Sequence, residues 1–136
     1  MSIYIVIDKK KQTTYFGVWP FSETVELTLS LVKYDEGLGL MYEAKYWGIV
    51  PGHASGGPFH VTGNITKPIH EDPKIVLQIT NWSEQGGYIS MHVKITVHGL
   101  GVVFDQNLGG KIPADNFIEE SLQYLKKCIE AASKKA

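Results

Sequence analysis

Five histidines are the residues of this sequence best suited to binding a metal ion. His92 and His98 share one face of a predicted strand but lie six residues apart, about 20 Å, which is too far to share one ion. His60 and His92 are predicted two strands apart, roughly 10 Å, which also exceeds the reach of a common ligand set. We therefore predict no metal site and no cofactor.

Two glycine-containing stretches have the composition of ion-binding loops. Residues 105–110, Asp-Gln-Asn-Leu-Gly-Gly, are similar to the opening of a calcium loop, but Asn116 occupies the twelfth position, where an acidic residue is required. Residues 52–58, Gly-His-Ala-Ser-Gly-Gly-Pro, could wrap an anion with backbone amides, yet they lead into a strand and lack a helix N-terminus. The sequence favours a polar turn for the first stretch and a long loop for the second.

Nucleophilic and acid–base residues have no recognisable catalytic arrangement. Cys128 falls near the apolar stripe of a predicted helix, where a thiol behaves as a small hydrophobe. The serines lack the strand-to-helix elbow of hydrolase nucleophiles, and Glu26 and Glu43 are predicted at outward positions of strands. We predict no catalytic residues. An enzyme whose catalytic groups come together from distant loops stays open as an alternative.

The first candidate binding site consists of aromatic residues from the middle of the chain. Tyr42, Tyr46, Trp47 and Phe59 are predicted to line the interior or the loop mouth of a β-barrel, where they would accept a small apolar or amphipathic ligand. Such sites are lined mainly by apolar and aromatic side chains, with few polar groups to fix orientation. A non-enzymatic binding domain is the function that we expect first.

The second candidate site lies on the polar face of a predicted hairpin. Trp82 and Tyr88 would face each other there, with His92 nearby, and flat rings beside hydroxyl and amide groups suit a glycan or a protein surface. An ordinary cross-strand aromatic pair that protects the hairpin explains the same residues. The alternative function is therefore a glycan- or protein-binding or assembly module.

The elements that position these residues are mostly β-strands. From Ile3 to about Phe104, short stretches rich in Val, Ile, Thr and Tyr alternate apolar and polar residues between Gly, Pro and Asp clusters. The pattern predicts eight strands, near 3–8, 13–19, 24–34, 40–50, 58–66, 74–82, 87–98 and 101–105. This spacing suits an antiparallel sandwich or barrel and leaves no room for crossover helices.

The later strands predict a specific register. Apolar residues occupy odd positions in the strands near 74–82 and 87–98, so a five-residue loop at 83–87 would pair Ile79 with Met91 and place both on one face. The strand near 58–66 is predicted to join this meander through a loop at 67–73. In the earlier hairpin the apolar parity changes from odd to even. The pairing there requires an odd offset, which a glycine bulge at Gly37 or Gly39 would supply.

At Pro113 the apolar period changes from two to about 3.6, which predicts a helix. Its apolar stripe consists of Ile118, Leu122, Leu125, Ile129 and Ala132. Asp115 or Asn116 would cap its start. We expect this stripe to pack on the β-layer, and a helix exposed for a partner is the alternative.

These elements predict one mainly β domain over residues 1–136, with an antiparallel meander of about eight strands at 1–112 and a packed amphipathic helix at 113–136. A sandwich and a closed barrel both fit the alternation. The barrel is favoured because sequential hairpins are most simply arranged up and down, and because closure removes exposed edges. The order of elements resembles lipocalin-like architecture, although no residue motif accompanies it.

Composition limits the partners of the chain. Thirteen basic residues against 14 acidic ones give a net charge of −1, so we expect neither nucleic acid nor membrane as a partner. The start of the sequence lacks a basic region and a long apolar run, so no targeting segment is expected. Cys128 is the single cysteine, which favours a reducing cytoplasmic location. A small-molecule ligand, a glycan and further copies of the chain stay open.

Overall fold

The computed structural model describes residues 4–18, 20–48, 51–69, 72–114 and 117–134, which form a β-sandwich followed by a helix. The first sheet contains, in spatial order, β1 (Ile5–Phe16), β2 (Glu23–Tyr34), β3 (Gly37–Trp47) and β4 (Gly52–His60). The second contains β5 (Ile65–Ile69), β6 (Asp72–Gln85), β7 (Tyr88–Val97) and β8 (Gly101–Lys111), and α1 is Phe117–Lys134. All pairings are antiparallel, so the predicted mainly β meander with a C-terminal helix is confirmed.

The predicted number of strands is correct, although several boundaries are wrong. The segments predicted at 3–8 and 13–19 are a single strand, β1, because the polar residues between them also pair with β2. The strand predicted at 58–66 is divided, since its first residues end β4 and its last residues begin β5. Phe59 and Ile65, expected on one strand, therefore lie in different sheets.

Both stretches interpreted as a loop or a turn are strands. Residues 52–58 lie within β4, an edge strand that pairs with β3, and residues 105–110 lie within β8, which pairs with β7. Backbone hydrogen bonds define a strand, so glycines and polar side chains are tolerated where one edge is free of a partner strand. Leu108, in the stretch at 105–110, is almost completely buried.

The β2–β3 hairpin has the odd register offset that the sequence requires. Leu31 pairs with Leu40, which places both apolar side chains on the inner face. The offset comes from a two-residue turn at 35–36, and the pairing continues without a shift, so the predicted glycine bulge is wrong. Gly37 instead begins β3 with a φ of 121°, a conformation that suits glycine.

The β6–β7 hairpin keeps the predicted face but not the predicted register. Ile79 pairs with Val93 instead of Met91. The chain reverses at the two glycines 86–87 instead of through a five-residue loop, and a bulge at Asn81, with a φ of 56°, lies in β6. Together they shift the pairing by two residues, which leaves Ile75, Leu77 and Ile79 on their predicted face.

The inward residues of both sheets form one hydrophobic core. Its fully buried members include Leu29, Leu31, Leu40, Leu77, Ile79, Met91, Val93, Ile95, Phe104 and Leu108. Burial of one such side chain stabilises the fold by about 1.5–3 kcal/mol. Among the described residues, every buried side chain of the core is apolar. The segregation of apolar residues to the inner faces is therefore as predicted.

The two sheets do not close into a barrel, so the preference for a barrel is corrected. β1 and β8 lie side by side, but side chains, and not a backbone ladder, join them. The Gly109 N–H donates to Asp8 Oδ2 at 2.9 Å, and the Asp105 N–H donates to Gln12 Oε1 at 2.9 Å. Gln106 Nε2 adds a bond to the Lys11 carbonyl oxygen at 3.2 Å. We call this set of bonds the β1–β8 seam.

Helix α1 forms as predicted, but its apolar stripe is not buried by the sandwich. Leu125 is 53% exposed and Ile129 is 63% exposed. Leu122 is also exposed, although it borders the β2–β3 turn. Cys128, expected near a buried stripe, is exposed as well. The expected packing of the helix on the β-layer is therefore wrong for its described side chains, and the caps proposed at 115–116 lie outside the described residues.

Candidate functional site

The sheets separate at one end of the sandwich and leave a cavity of about 480 Å³ between them. This end is formed by the start of β2, the end of β3, the start of β4 and the end of β7. The walls are apolar and come from both sheets: Val25, Leu27, Ile75, Ile95, Val97 and Val103. Glu23, Tyr46 and Trp47 complete the lining at the mouth.

Small residues explain why this end stays hollow. Ala44 of β3 pairs directly with Ala54 of β4, and both line the cavity. At the opposite end the equivalent inward positions carry Leu31, Leu40 and Met91, which are almost completely buried. Because side-chain volume decides whether two packed sheets meet, alanines at one end and leucines at the other leave an open end and a closed end.

Tyr46 takes its place at the mouth because its pairing partner is a glycine. Gly52 lies opposite Tyr46 in the β3–β4 ladder, and a Cβ atom at position 52 would overlap the Tyr46 ring. The ring can therefore lie flat over the backbone of β4. Trp47 is the next residue, is 48% exposed and also belongs to the lining of the mouth.

Three of the four residues predicted for an interior site line this cavity. Tyr42, Tyr46 and Trp47 belong to the lining, whereas Phe59 lies behind it. The Phe59 ring stacks on Tyr42 with centroids 6.0 Å apart and planes 6° from parallel. Phe59 thus holds Tyr42 in place and does not reach the cavity.

Glu23 is the charged residue among the lining residues that the sequence interpretation missed. It shares the parity of Val25 and Leu27 on β2, so its side chain belongs to the inward row. Because the strand was predicted to start at residue 24, Glu23 fell outside it. Extension of the same alternation by one more inward position was the signal that could have found it.

The second predicted surface is not assembled as expected. Trp82 packs against the core because the bulge at Asn81 turns the strand at that point, and its backbone N–H donates to Asn64 Oδ1 at 2.9 Å. Tyr88 is 61% exposed and pairs with Gln85. His92 lies farther along β7. The structure therefore does not place Trp82, Tyr88 and His92 together as an aromatic face.

His92 belongs instead to a polar cluster on the outer face of β7 and β8. Its Nδ1 hydrogen-bonds with Asn107 Oδ1 at 2.7 Å, and its Nε2 pairs with Asp105 Oδ1. The hydrogen bond to Asn107 and then the one to Asp105 raise the pKa of His92 above its ordinary value of 6.5. Two acceptors on one imidazole favour the doubly protonated ring, so the cluster stabilises a positive charge.

Two further histidines, His53 and His60, each contact one neighbouring side chain. His53 Nε2 lies 3.2 Å from Glu43 Oε1 on the exposed side of β3 and β4. His60 meets the edge of the Tyr34 ring, with centroids 6.3 Å apart. Within the described ranges, no three His, Cys, Asp or Glu side chains are grouped to hold a metal ion. His70 and Glu71 lie outside those ranges.

Comparisons with known proteins leave the site to be interpreted from its own geometry. No family model matches the chain, and no characterised protein or solved structure matches it either. In the described part of the chain, no helix has the length and apolar character needed to cross a membrane. The cavity between the sheets is consequently the feature on which a functional argument can be built.

Proposed function

We propose that the protein is a non-catalytic binding domain that holds a small apolar or amphipathic molecule in the cavity between its sheets. The observation that carries this proposal is the cavity itself, about 480 Å³ in volume and walled by side chains such as Leu27, Ile95 and Val103. Sites for small molecules usually enclose about 300–1,000 Å³ and have mostly apolar walls. Both properties are present in the same place.

The size of the cavity argues against simple imperfect packing. Protein interiors are packed about as densely as organic crystals, and voids larger than a water molecule are few. A dry cavity of about 150 Å³ is enough to hold benzene. The present cavity is roughly three times as large, so it has room for a molecule with several times the apolar surface of a single ring.

The cavity also has a polar end, which suits an amphipathic ligand. The Tyr46 hydroxyl, the Trp47 indole N–H and the Glu23 carboxylate belong to residues at the mouth, whereas the walls are hydrocarbon. A ligand with an apolar body and a polar end would therefore enter body first.

Cys128 lies on α1, away from this site, and its free thiol supports the proposal of a reducing, cytoplasmic location.

A substitution that fills part of the cavity tests the proposal. We expect an apolar fluorescent dye such as N-phenyl-1-naphthylamine to bind the wild-type chain and to raise its melting temperature. Ala44→Leu places three additional carbon atoms in the cavity, so it should weaken dye binding at least tenfold while the circular dichroism spectrum stays the same.

Lys45→Leu is the matched control, because Lys45 is the next residue of β3 and is exposed. It adds the same side chain to the outer face and should leave dye affinity within twofold of wild type. The proposal fails if wild type does not bind the dye, or if Ala44→Leu and Lys45→Leu bind it equally well.

A further inference from the structure

Glu23 is an inward carboxylate at the mouth of an apolar cavity. It continues the inner row of β2 beyond Leu27 and Val25, and among the described lining residues it is the charged one. Inward positions of strands in a sandwich are normally apolar, because burial of a charge is costly without a partner. A carboxylate at this position calls for a reason other than packing.

The described structure provides no partner for this carboxylate. No hydrogen bond or ion pair joins the Glu23 side chain to any described residue, whereas Glu26, one position past Val25 on the outer face, is paired with Lys11 Nζ at 3.2 Å. Glu23 is half-buried, so water solvates it in the free protein. A ligand that entered the cavity would displace some of that water and would have to replace its interactions.

Aromatic residues occur near Glu23 on both neighbouring strands. Phe16 of β1 pairs directly with Glu23. On the other side, Trp47 and Tyr46 of β3 pair with the two residues that follow Glu23 in β2. A carboxylate at a cavity mouth attracts an ammonium group by ion pairing, and an aromatic ring of the same mouth that the ammonium group reaches adds cation–π attraction.

We propose that the cavity selects amphiphiles with a cationic, ammonium-type head, with the head at Glu23, Tyr46 and Trp47 and the apolar tail between the sheets. This inference rests on the proposed binding function and specifies its ligand class. A neutral head would leave Glu23 desolvated without compensation, and an anionic head would be repelled by it.

Three probes with one tail and different heads test the selectivity: octylammonium, octanol and octanoate, each measured by displacement of the fluorescent dye at pH 7. We expect octylammonium to bind about tenfold more tightly than octanol, and octanoate to bind most weakly. Glu23→Gln should bring the ratio of ammonium to alcohol affinity close to one.

Glu26→Gln is the matched control, because it makes the same chemical change on the outer face of the same strand, and it should preserve the ratio. Equal affinity for octylammonium and octanol in wild type would overturn the ligand class while the binding function stands. Failure of all three probes and of the dye would overturn both. Tighter binding of octanoate than of octylammonium would also refute the cationic head.

An independent observation concerns α1, whose apolar residues follow a heptad repeat. Ile118, Leu122, Leu125, Ile129 and Ala132 are separated by four, three, four and three residues. This spacing produces a narrow apolar seam on α1, made of heptad positions a and d and distinct from the β1–β8 seam. Such a seam is typical of helices that pair with another helix, and it is narrower than the apolar face of a helix that covers a sheet. The described side chains of the seam are exposed.

The charged residues beside the seam would form ion pairs between two copies of α1 in an antiparallel arrangement. Glu119 and Lys126 occupy the same flank of the seam, one heptad apart, and both are exposed. If two copies of α1 pair antiparallel, with Leu122 of one facing Leu125 of the other, Glu119 of each copy lies beside Lys126 of the second. A parallel pair would place Lys126 beside Ser121 and would gain no ion pair.

We infer that α1 associates with α1 of a second copy of this chain in an antiparallel two-helix coiled coil. The seam covers less than three heptads, so the association is weak and depends on concentration. Sedimentation equilibrium over a range of protein concentrations, from micromolar to several hundred micromolar, should show the mass rising from that of the 15.1 kDa chain towards twice that value.

Charge reversal identifies the interface and its direction. Glu119→Lys and Lys126→Glu should each abolish self-association, because each places like charges together twice, while the circular dichroism spectrum of the monomer is unchanged. An equimolar mixture of the two variants should associate again, since the flank with two lysines on one helix then faces the flank with two glutamates on the other. A monomer at every concentration, or unaltered association of the single variants, would overturn the inference.

Discussion

At the scale of single residues, His92 combines partners at both ring nitrogens with a raised pKa. Asn107 and Asp105 accept bonds from its two ring nitrogens, so the protonated ring satisfies both acceptors and the neutral ring satisfies only one of them. The same bonds raise its pKa in the folded chain above the ordinary value of 6.5. Folding therefore favours the charged form of His92.

This shift predicts how stability depends on pH. A pKa that is higher in the folded state stabilises the fold fully below the unfolded value, near pH 6.5, and this contribution is lost as the pH rises through the folded value. Wild type should therefore exceed His92→Gln in unfolding free energy at about pH 5.5, by less than about 1 kcal/mol because the pair is near the surface.

Urea denaturation of both proteins at about pH 5.5 and about pH 9 measures the effect. The difference between them should shrink towards zero at the higher pH. His98→Gln is the control, because His98 is exposed and beyond the end of β7. A difference that grows with pH would contradict the protonated arrangement of His92.

The residues of the site were only partly predictable. Alternation placed Tyr42 and Tyr46 on an inward row, because parity along one strand is local information. The pair of His92 with Asp105 could not be predicted, because Asp105 belongs to a stretch of polar residues and glycines whose strand character depends on pairing with β7. Side chains that meet across strands depend on register, which local periodicity does not contain.

At the scale of elements, the β6–β7 turn depends on backbone conformation alone. Gly86 and Gly87 have φ values of 59° and 79°, as in a type I′ turn, and a Cβ at either position would meet no other atom. Gly86→Val should therefore cost about 1–2 kcal/mol through backbone strain. Gly86→Asn should cost less than about 0.5 kcal/mol or stabilise slightly, because asparagine tolerates this conformation.

Thermal unfolding of the two variants separates these outcomes. Both remove the glycine and both have room for the new side chain, so sterics cannot distinguish them. If the valine and asparagine variants melt at the same temperature, the left-handed conformation of residue 86 is wrong.

The same hairpin shows why elements were predicted better than their pairing. Alternation assigned the inner faces of β6 and β7 correctly, yet the register is displaced by two residues. A displacement of two preserves every face, so no pattern of apolar and polar residues can reveal it. The bulge at Asn81 has the further effect of moving Trp82 to the core, which reversed its expected role.

At the scale of the whole molecule, the β1–β8 seam holds the two sheets together along one side. Gln12 accepts the Asp105 N–H, and Asp8 accepts the Gly109 N–H, where a closed barrel would have a backbone ladder. The contact between β1 and β8 therefore depends on side chains. The alternation of apolar and polar residues is the same in an open sandwich and in a closed barrel. It therefore could not show that the predicted barrel does not form.

Hydrogen exchange can measure the two bonds separately. Gln12→Ala should accelerate exchange of the Asp105 amide about fivefold, the equivalent of one hydrogen bond of about 1 kcal/mol, and should leave the Gly109 amide nearly unchanged. Asp8→Ala should do the reverse. Lys10→Ala, an exposed change on the same strand, is the control. Equal acceleration of both amides in either variant would contradict independent bonds.

Each sheet is built from one uninterrupted stretch of sequence, residues 5–60 for the first and 65–111 for the second. The first sheet therefore emerges from the ribosome before the second. Translation proceeds at about 5–20 residues per second, so the leucine-rich inner face of β2 and β3 stays uncovered for several seconds until the second sheet emerges. During that interval the nascent chain exposes an apolar surface, and this is the stage at which we expect a chaperone to bind it.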